Sequence, residues 1–544
     1  MKAWVDDTLK LRPPVSGAAL RVGLWLEELR SLPFAAEAIQ SIRKTAGLEL
    51  TTVFVSGSAT PHTGSASGIA YRLYHRWNRR IAGAENPLRE TDLRPLLDGV
   101  TIRLENPSAA AGLDVLISLG IQPRHGDCAG LARYGVWSLG FGDPARSLRL
   151  PFYFWEILRR DTVNDLTLYV HASRLESGRG IYRYQCKALP TWYFAHNATE
   201  CLNMAPVILI RRLLDVQQRG WEALTDLPGW REEEVHLEPR RGYPGAWTLF
   251  RFLLGQAALR VRHRLFSKGE AKWFICHRHD RAAFTTHQPR FRADGFIPIP
   301  NPAHSTFADP FLMERQGRVY LFVEEIANAN NLGHLAACEL LPQGPSEFRD
   351  ILQKPYHLSY PCLVEWKGEV YMIPESGGNY TLELYRATSF PYAWQFEKML
   401  LRDIALVDTT PFFQDGIWYF FTTTVEVITC RWLETWLFWS DSLDGEWHYH
   451  PANPICSDVR RARSAGHLFH RNGKLIRPAQ DCSVRYGYAL VLNEVLKLSP
   501  TEYEERQQEV ILPDWMPGIF ATHTLNFTSN AEVIDATRIP ERRP

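Results

Sequence analysis

FADPFLMERQGRVYLFVEE (307–325), SYPCLVEWKGEVYMIPES (359–376), VDTTPFFQDGIWYFFTTT (407–424) and RSAGHLFHRNGKLIRPAQD (463–481) are four versions of one pattern. In each, an apolar strand runs into a turn glycine and a second apolar or aromatic strand leaves it. The glycines are Gly317, Gly368, Gly416 and Gly473, so the steps are 51, 48 and 57 residues. Glycine supplies the positive φ a hairpin turn needs, and Val, Tyr, Phe and Trp suit the pleated strands beside it. A period near 50 built from short strands is the signature of a propeller blade.

Aligned on that glycine, the copies differ where chemistry is carried. Eight residues before it stand Asp309, Tyr360, Asp408 and Ala465; seven after it stand Glu324, Glu375, Thr423 and Gln480, followed by Glu325, Ser376, Thr424 and Asp481. Equivalent positions of successive blades ring the propeller axis, so carboxylates far apart in the chain converge on one funnel. A structural repeat accounts for shared glycines and aromatics. It does not account for acidic residues that change from blade to blade. Adjacent residues of a strand face opposite ways, so at most one of Glu324 and Glu325 points into the funnel.

Outward from the repeats, KWFICHRHD (272–280) precedes the first copy, and THTLNFTSNAEVIDATRI (522–539) follows the fourth. Joining these ends in one shared blade closes the ring and removes exposed sheet edges, which makes five blades the best count, with six the alternative. Upstream, Arg21 to Val55 reads as strand, helix, strand, and further strands and helices follow to about 225, the order of an α/β domain. Residues 246–266, AWTLFRFLLGQAALRVRHRLF, have helical spacing and a basic end at Arg260, Arg262 and Arg264; such a helix suits an anionic membrane surface or a packed strut. The expected organisation is an arm (1–19), an α/β domain (20–226), a linker with the basic helix (227–267) and an all-β five-bladed propeller (268–540).

Composition narrows the class. Hydrophobic residues make up 45% and charged residues 22% of 544, ordinary for a globular protein, and a net charge of +1 predicts no nucleic-acid partner. Nine cysteines without a CxxC pair, and the absence of a signal-like apolar start, predict a cytoplasmic protein, peripheral at the membrane if 246–266 binds there. His277, His279 and Asp280 lie close together but lack further spaced ligands, so no metal and no cofactor are expected.

TFADPF, YHLSYPCLVEWKGEVYMIPES, LELYRAT, VDTTPF, WSDSLDGEWHYHPANPI, DVRRARSAG and RPAQDCSVRYGYA together resemble the five-bladed propeller of glucosamine inositolphosphorylceramide transferases, over about 270–535. ADPF at a blade start is similar, more distantly, to furanosidase and fructosidase propellers; that resemblance implies two Asp and one Glu around the funnel. DVLISLG, and YGVWSLGFGD followed by a Pro and a WEIL helix, resemble the formyltransferase-like (Rossmann-type) fold over 20–225. That family's Asn-x-His-Pro reads here Ser138-Leu139-Gly140-Phe141, and its Asp-Thr-Gly reads about Glu176-Ser177-Gly178. Formyl transfer needs the lost Asn and His to stabilise the oxyanion, so none is expected, and neither His125, Asp127, Asp143 nor Glu156 is marked as a replacement.

Sugar-bond chemistry needs one carboxylate as base or nucleophile and one carboxylic acid as proton donor. Crowded carboxylates keep one of their number protonated near neutrality. Asp309 is the candidate base or nucleophile, Glu375 the candidate acid, and Asp408 the group that tunes them. Glu324, Arg463, Arg477, Gln480, Asp481 and His523 are the candidate binding residues, since Arg forks suit anionic substituents and amides suit hydroxyls. Asp309 and Asp408 have a bland alternative as caps on backbone N–H groups. The expected function is a carbohydrate-active protein that binds a glycan, glycoconjugate or nucleotide sugar and acts on a glycosidic bond. The alternatives are a non-catalytic glycan-binding module and a sugar N-formyltransferase with altered catalytic residues.

Overall fold

The computed structural model describes residues 12, 14–57, 69–81, 87–107, 112–120, 127–143, 153–175, 177–191, 194–224, 235–236, 244–266, 271–424 and 434–538. His125, Glu176, the arm through Leu11 and most of the 227–245 linker lie outside them. The chain forms two compact units that meet in sequence between Ser267 and Lys268.

The first unit is an α/β sheet. Its elements are β1 (Leu20–Leu26), α1 (Pro33–Lys44), β2 (Leu48–Val55), α2 (Ile69–Ile81), β3 (Thr101–Arg103), β4 (Val115–Ser118), β5 (Val136–Phe141), α3 (Phe154–Arg159), β6 (Val163–His171), β7 (Ser177–Lys187), α4 (Phe194–Arg219), β8 (Val235–His236) and α5 (Ala246–Phe266). The strand order is β8-β7-β6-β5-β4-β1-β2-β3. β1 to β5 are mutually parallel where they pair, and β6 to β8 add on antiparallel. The progression reverses between β1 and β4, where an open α/β sheet leaves a crevice beyond its strand ends. β1 is a near-continuous apolar run because both its faces are buried, Trp25 packing with Phe54, Leu116 and Val136 against Cys128 and Leu175 on one of them. In α1, Pro33 stands in the first turn, where its missing N–H costs nothing, and Phe34, Ala35, Ala38, Ile39 and Ile42 form the buried stripe.

α5 is not simply two-faced. Leu249 and Phe252 pack on Tyr71 and Tyr74 of α2 and on Phe154 and Ile157 of α3. Trp247, Phe250, Leu254 and Val261, at spacings of 3, 4 and 7, form a second apolar stripe that stays exposed. No helix among the described residues is long and apolar enough to cross a membrane.

The second unit is a ring of five antiparallel blades. β9 (Lys272–Arg278) and β10 (Ile297–Pro298) come first. Blade 1 is β11 (Ser305–Arg315), β12 (Arg318–Ala327), β13 (Gly333–Leu341) and β14 (Arg349–Leu352); blade 2 is β15 (Ser359–Trp366), β16 (Glu369–Glu375), β17 (Thr381–Ser389) and β18 (Ala393–Arg402). Blade 3 is β19 (Leu406–Gln414), β20 (Ile417–Thr424), β21 (Thr435–Ser440) and β22 (His448–Tyr449). In blade 4 the inner edge is split into β23 (Arg463–Ser464) and β24 (Phe469–Arg471), followed by β25 (Lys474–Asp481), β26 (Ala489–Leu498) and β27 (Tyr503–Ile511). Blade 5 is closed by the two ends of the unit: β28 (Ile519–Ala521) and β29 (Leu525–Phe527) pair with β30 (Glu532–Arg538), which pairs with β9 over seven residues.

The cores lie between blades, so both faces of a strand are buried. In β20, Phe420 packs toward blade 2 with Trp418 and Trp436, while Phe421 packs toward blade 4 with Leu468 and Leu475. That is why IWYFF reads as unbroken apolar sequence instead of alternating. The four turn glycines sit at φ 73, 80, 82 and 76, each preceded by a second left-handed residue, Gln316, Lys367, Asp415 or Asn472. Two successive positive φ values make the tight turn whose twist matches its strands. The eight described cysteines are all buried, with no disulfide among them.

Candidate functional site

Three inner strands break at the same place. Pairing runs Ala308–Glu324 then Phe311–Phe322 in blade 1, Ser359–Glu375 then Cys362–Ile373 in blade 2, and Val407–Thr423 then Thr410–Phe421 in blade 3. Two residues therefore face one, a β-bulge, and the first bulged residue is Asp309, Tyr360 or Asp408 at φ 48, 47 and 50. Non-glycine residues seldom occupy that left-handed region, and bulges re-aim side chains beside functional sites. The inner edges of blades 4 and 5 break between β23 and β24 and between β28 and β29, which places Gly466 and His523 in the gaps. The breaks are stitched together: the Gly466 N–H donates to the Tyr360 hydroxyl (2.7 Å), which also bonds Thr410 (2.8 Å).

The side chains aimed by these breaks form one cluster. Arg463 grips Asp408 with Nε and Nη2 and reaches Glu375 with Nη2 at 3.4 Å. Gln480 donates to Asp408 at 3.0 Å and to the Ser464 carbonyl at 2.8 Å. His523 lies between two acids, with Nδ1 2.7 Å from Asp535 and Nε2 3.3 Å from Asp309. Trp273 stacks on that imidazole at 3.9 Å between ring centres, and Arg463 lies over the Tyr486 ring. Thr524 donates its hydroxyl to Asp309 at 2.8 Å. His357 completes the group: its Nδ1 accepts from the Gly333 N–H at 3.0 Å, so the proton is on Nε2, which faces Glu324 at 2.8 Å. Solvent reaches the cluster at the half-exposed His357 and at Glu375, with Asp309 and Asp408 beneath them.

Pairing explains the electrostatics. Arg463 answers Asp408, His523 answers Asp535 and His357 answers Glu324, which leaves Asp309 and Glu375 in excess. Burial pushes Asp309 up to about 7; His523 opposes this, and Glu324, Asp408 and Asp535 add to it. Glu375 is held well above the carboxylate range by burial and by Asp408, against the pull of Arg463. Burial alone would lower His523, but Asp535 and Asp309 outweigh it and raise it to about 9. His357 behaves alike: burial would lower it, and Glu324 raises it further than that.

Asp309, Glu324, Glu375, Asp408, Arg463, Gln480 and His523 thus share one cluster. The acids are bonded there mainly by side chains, whereas Asp535 accepts the backbone N–H groups of Asp309, His523 and Thr524. Two residues expected in the cluster are elsewhere. Arg477 projects from the other side of β25 from Gln480, at odd spacing, and is bound by both oxygens of Glu505 (2.8 Å each) and by the Arg461 carbonyl. Asp481 shares that side and accepts the Ser483 N–H at 2.8 Å. His277, His279 and Asp280 are not drawn together as ligands: Asp280 caps a short turn by accepting from the Ala282 N–H. Asp535, His357, Tyr486 and Trp273 were not legible from the repeat. The fifth hairpin turns at Thr528–Ala531 without a glycine, so the alignment that found the other acids stops short of Asp535.

In the first unit, Ser138 bonds His171 Nε2 at 2.6 Å, and His171 Nδ1 meets the Ser177 carbonyl at 2.8 Å. The Tyr169 ring lies against Gly140, where a Cβ would come within 2.5 Å of it. Ser138 is thus bonded to a histidine, and Gly140 is covered by a tyrosine ring.

Residues 273–522 match the family described as glucosamine inositolphosphorylceramide transferase 1, N-terminal. Glucosamine inositolphosphorylceramide transferase 1 of Oryza sativa subsp. japonica is 38% identical over 205 residues, 36% of this chain and 27% of that protein. The Arabidopsis thaliana protein of the same name is 34% identical over 205 residues, 36% of this chain and 26% of that one. The chain therefore matches about a quarter of the length of these curated relatives. Among solved structures, the family 117 glycoside hydrolase Zg3597 of Zobellia galactanivorans is 13% identical with a TM-score of 0.32, over 43% of this chain and 84% of that one. The exo-β-1,3-galactanase 1,3Gal43A of Clostridium thermocellum is 15% identical with a TM-score of 0.32, over 43% of this chain and 56% of that one.

Proposed function

We propose that the propeller funnel binds a glycan or glycoconjugate and acts on a glycosidic bond, with Glu375 as proton donor and Asp309 as base or nucleophile. One observation carries the reading: after every cation and imidazole N–H in the cluster is matched to an acid, these two carboxyls remain, and both are raised. A group held protonated near neutrality beside one that titrates there is the acid–base pair that glycosidic chemistry uses. Asp408, locked by Arg463 and Gln480, raises Glu375 and fixes the guanidinium beside it. The relatives' name makes an inositolphosphorylceramide glycoconjugate and its sugar donor the first substrates to assay, beside a panel of 4-nitrophenyl glycosides.

A second reading, a glycan-binding module without turnover, is favoured by the match being to an N-terminal family segment of much longer proteins. Asp309→Asn and Glu375→Gln separate the two. Under catalysis, each keeps its fold and its ligand affinity by calorimetry while turnover falls about 100-fold or more. Under binding alone, no turnover is measured and affinity drops by about 1–3 kcal/mol per change. Unchanged affinity and unchanged turnover in both variants would discard the site.

If the substrate is a glycolipid, the exposed stripe of α5, with Arg251 and Arg260 on the same helix, is the proposed membrane contact. The full chain is then expected to pellet with anionic vesicles, less so at high salt, and Trp247→Ser with Phe250→Ser to abolish it. Equal pelleting of the double variant would reject that contact.

A further inference from the structure

A second cluster lies in blade 1. Three adjacent strands of one sheet each contribute a metal-ligating side chain: Glu325 from β12, His334 from β13 and Asp350 from β14. Glu325 and His334 are directly paired across β12 and β13. Glu325 is the strand neighbour of Glu324, so it faces away from the funnel cluster. His334 Nε2 stands 3.1 Å from Asp350 Oδ1 and 3.7 Å from Glu325 Oε2, and the three atoms lie within 4.8 Å of one another.

The remaining oxygens are already engaged. Ser305 of β11 donates to Glu325 Oε1, and Gln353 donates to Asp350 Oδ2 at 3.0 Å. Each carboxylate is therefore oriented by an outer donor and presents its other oxygen to the same point as the imidazole. An outer shell that aims ligands in this way is what distinguishes a built metal site from a chance ion pair. Ligand atoms about 2.0–2.2 Å from a common zinc ion sit roughly 3–3.6 Å apart, so the imidazole already stands at about that spacing from each carboxylate, and the two carboxylates, within 4.8 Å, close on the ion by side-chain rotation. The sheet holds all three backbones in register, and Glu325 and His334 are under a fifth exposed.

We propose that Glu325, His334 and Asp350 bind a divalent transition-metal ion, Zn²⁺ in the first instance, with water completing its shell. One imidazole and two carboxylates suit Zn²⁺. Ca²⁺ and Mg²⁺ favour all-oxygen cages, and soft ions favour thiolates. The site is separate from the funnel. Its His334 follows Gly333, whose N–H orients His357 toward Glu324, so an ion here stiffens the turn that positions one funnel residue.

The test uses the full chain, stripped with chelator and titrated with ZnCl₂ by calorimetry, with MnCl₂ and CaCl₂ in parallel. One Zn²⁺ per chain is expected, with Mn²⁺ weaker by the usual order of affinities and Ca²⁺ without saturable binding. His334→Ala is expected to abolish binding, and Ser305→Ala, which touches no ligand atom of the ion, to weaken it roughly 10–100-fold. Asp350 is more than half exposed, so Asp350→Asn leaves the core intact and serves if His334→Ala fails to fold. Zn²⁺ should raise the melting temperature of the wild type and not of these ligand variants. Absence of saturable Zn²⁺ binding, or affinity unchanged in both His334→Ala and Asp350→Asn, overturns the proposal.

Discussion

At the scale of single residues, the protonation of a few buried groups sets how stability depends on pH. His523 rises from 6.5 to about 9 on folding, so its contribution is complete below pH 6.5 and lost as pH climbs through 9. Asp309, raised from 3.8 to about 7, likewise keeps its proton longer in the folded chain, so its effect also declines with rising pH, between about 4 and 7. His467 and His277 are lowered to about 4 by burial, and their contributions are lost as pH falls from 6.5 through 4. Two histidines favour higher pH below 6.5 and raised carboxyls such as Asp309 and Glu375 oppose them; above 6.5 the raised groups, His523 and His357 with these carboxyls, all lose stability as pH climbs. Stability is therefore expected to change little between pH 5 and 6.5 and to fall by at least roughly 2–3 kcal/mol toward pH 9. Urea midpoints across pH 5–9 check this. His523→Gln should flatten the alkaline side, and an unchanged alkaline slope in that variant would disprove the assignment.

At the scale of elements, the inner-strand breaks and the hairpin turns both use glycine, for different reasons. Gly473 has φ 76 and open space around it, so alanine there meets only backbone strain, about 1 kcal/mol. Gly466 has φ 120, and a Cβ on it would stand 2.1 Å from the Leu525 carbonyl oxygen, where the edges of blades 4 and 5 touch. Gly466→Ala is expected to cost about 3–5 kcal/mol by separating those edges, several times the cost of Gly473→Ala. Denaturant unfolding of the two variants measures the difference; equal costs would mean the contact at Gly466 is slack. The left-handed Asp309, Tyr360 and Asp408 belong to the same logic, since the strain of each bulge is held by the pairing on either side of it.

At the scale of the whole molecule, the second unit is a ring whose closure depends on its first and last strands. β9 and β30 come from opposite ends of the propeller sequence and pair residue for residue, Lys272 with Arg538 through Arg278 with Glu532. The Arg278–Glu532 ion pair, almost wholly buried, locks that seam. The funnel cluster draws on all five blades, so it exists only in the closed ring.

What the amino-acid sequence determined by itself was whatever short range controls. A two-residue turn and regular pairing tie each glycine to fixed positions on its two strands, so counting eight back and seven forward found Asp309, Asp408, Glu324, Glu375 and Gln480. The α/β order of the first unit and the five-blade count followed from strand and helix periodicity in the same way. What only the tertiary structure decided was how distant residues share charge. The pairs Arg463–Asp408 and His523–Asp309 join residues 55 and more than 200 positions apart, and no local rule specifies them. The alternation of β25 sends Arg477 to Glu505 while Gln480 turns to Asp408. A glycine-free fifth turn hid Asp535. Side-chain partners are set by which blade packs against which, and that is fixed only when the ring closes.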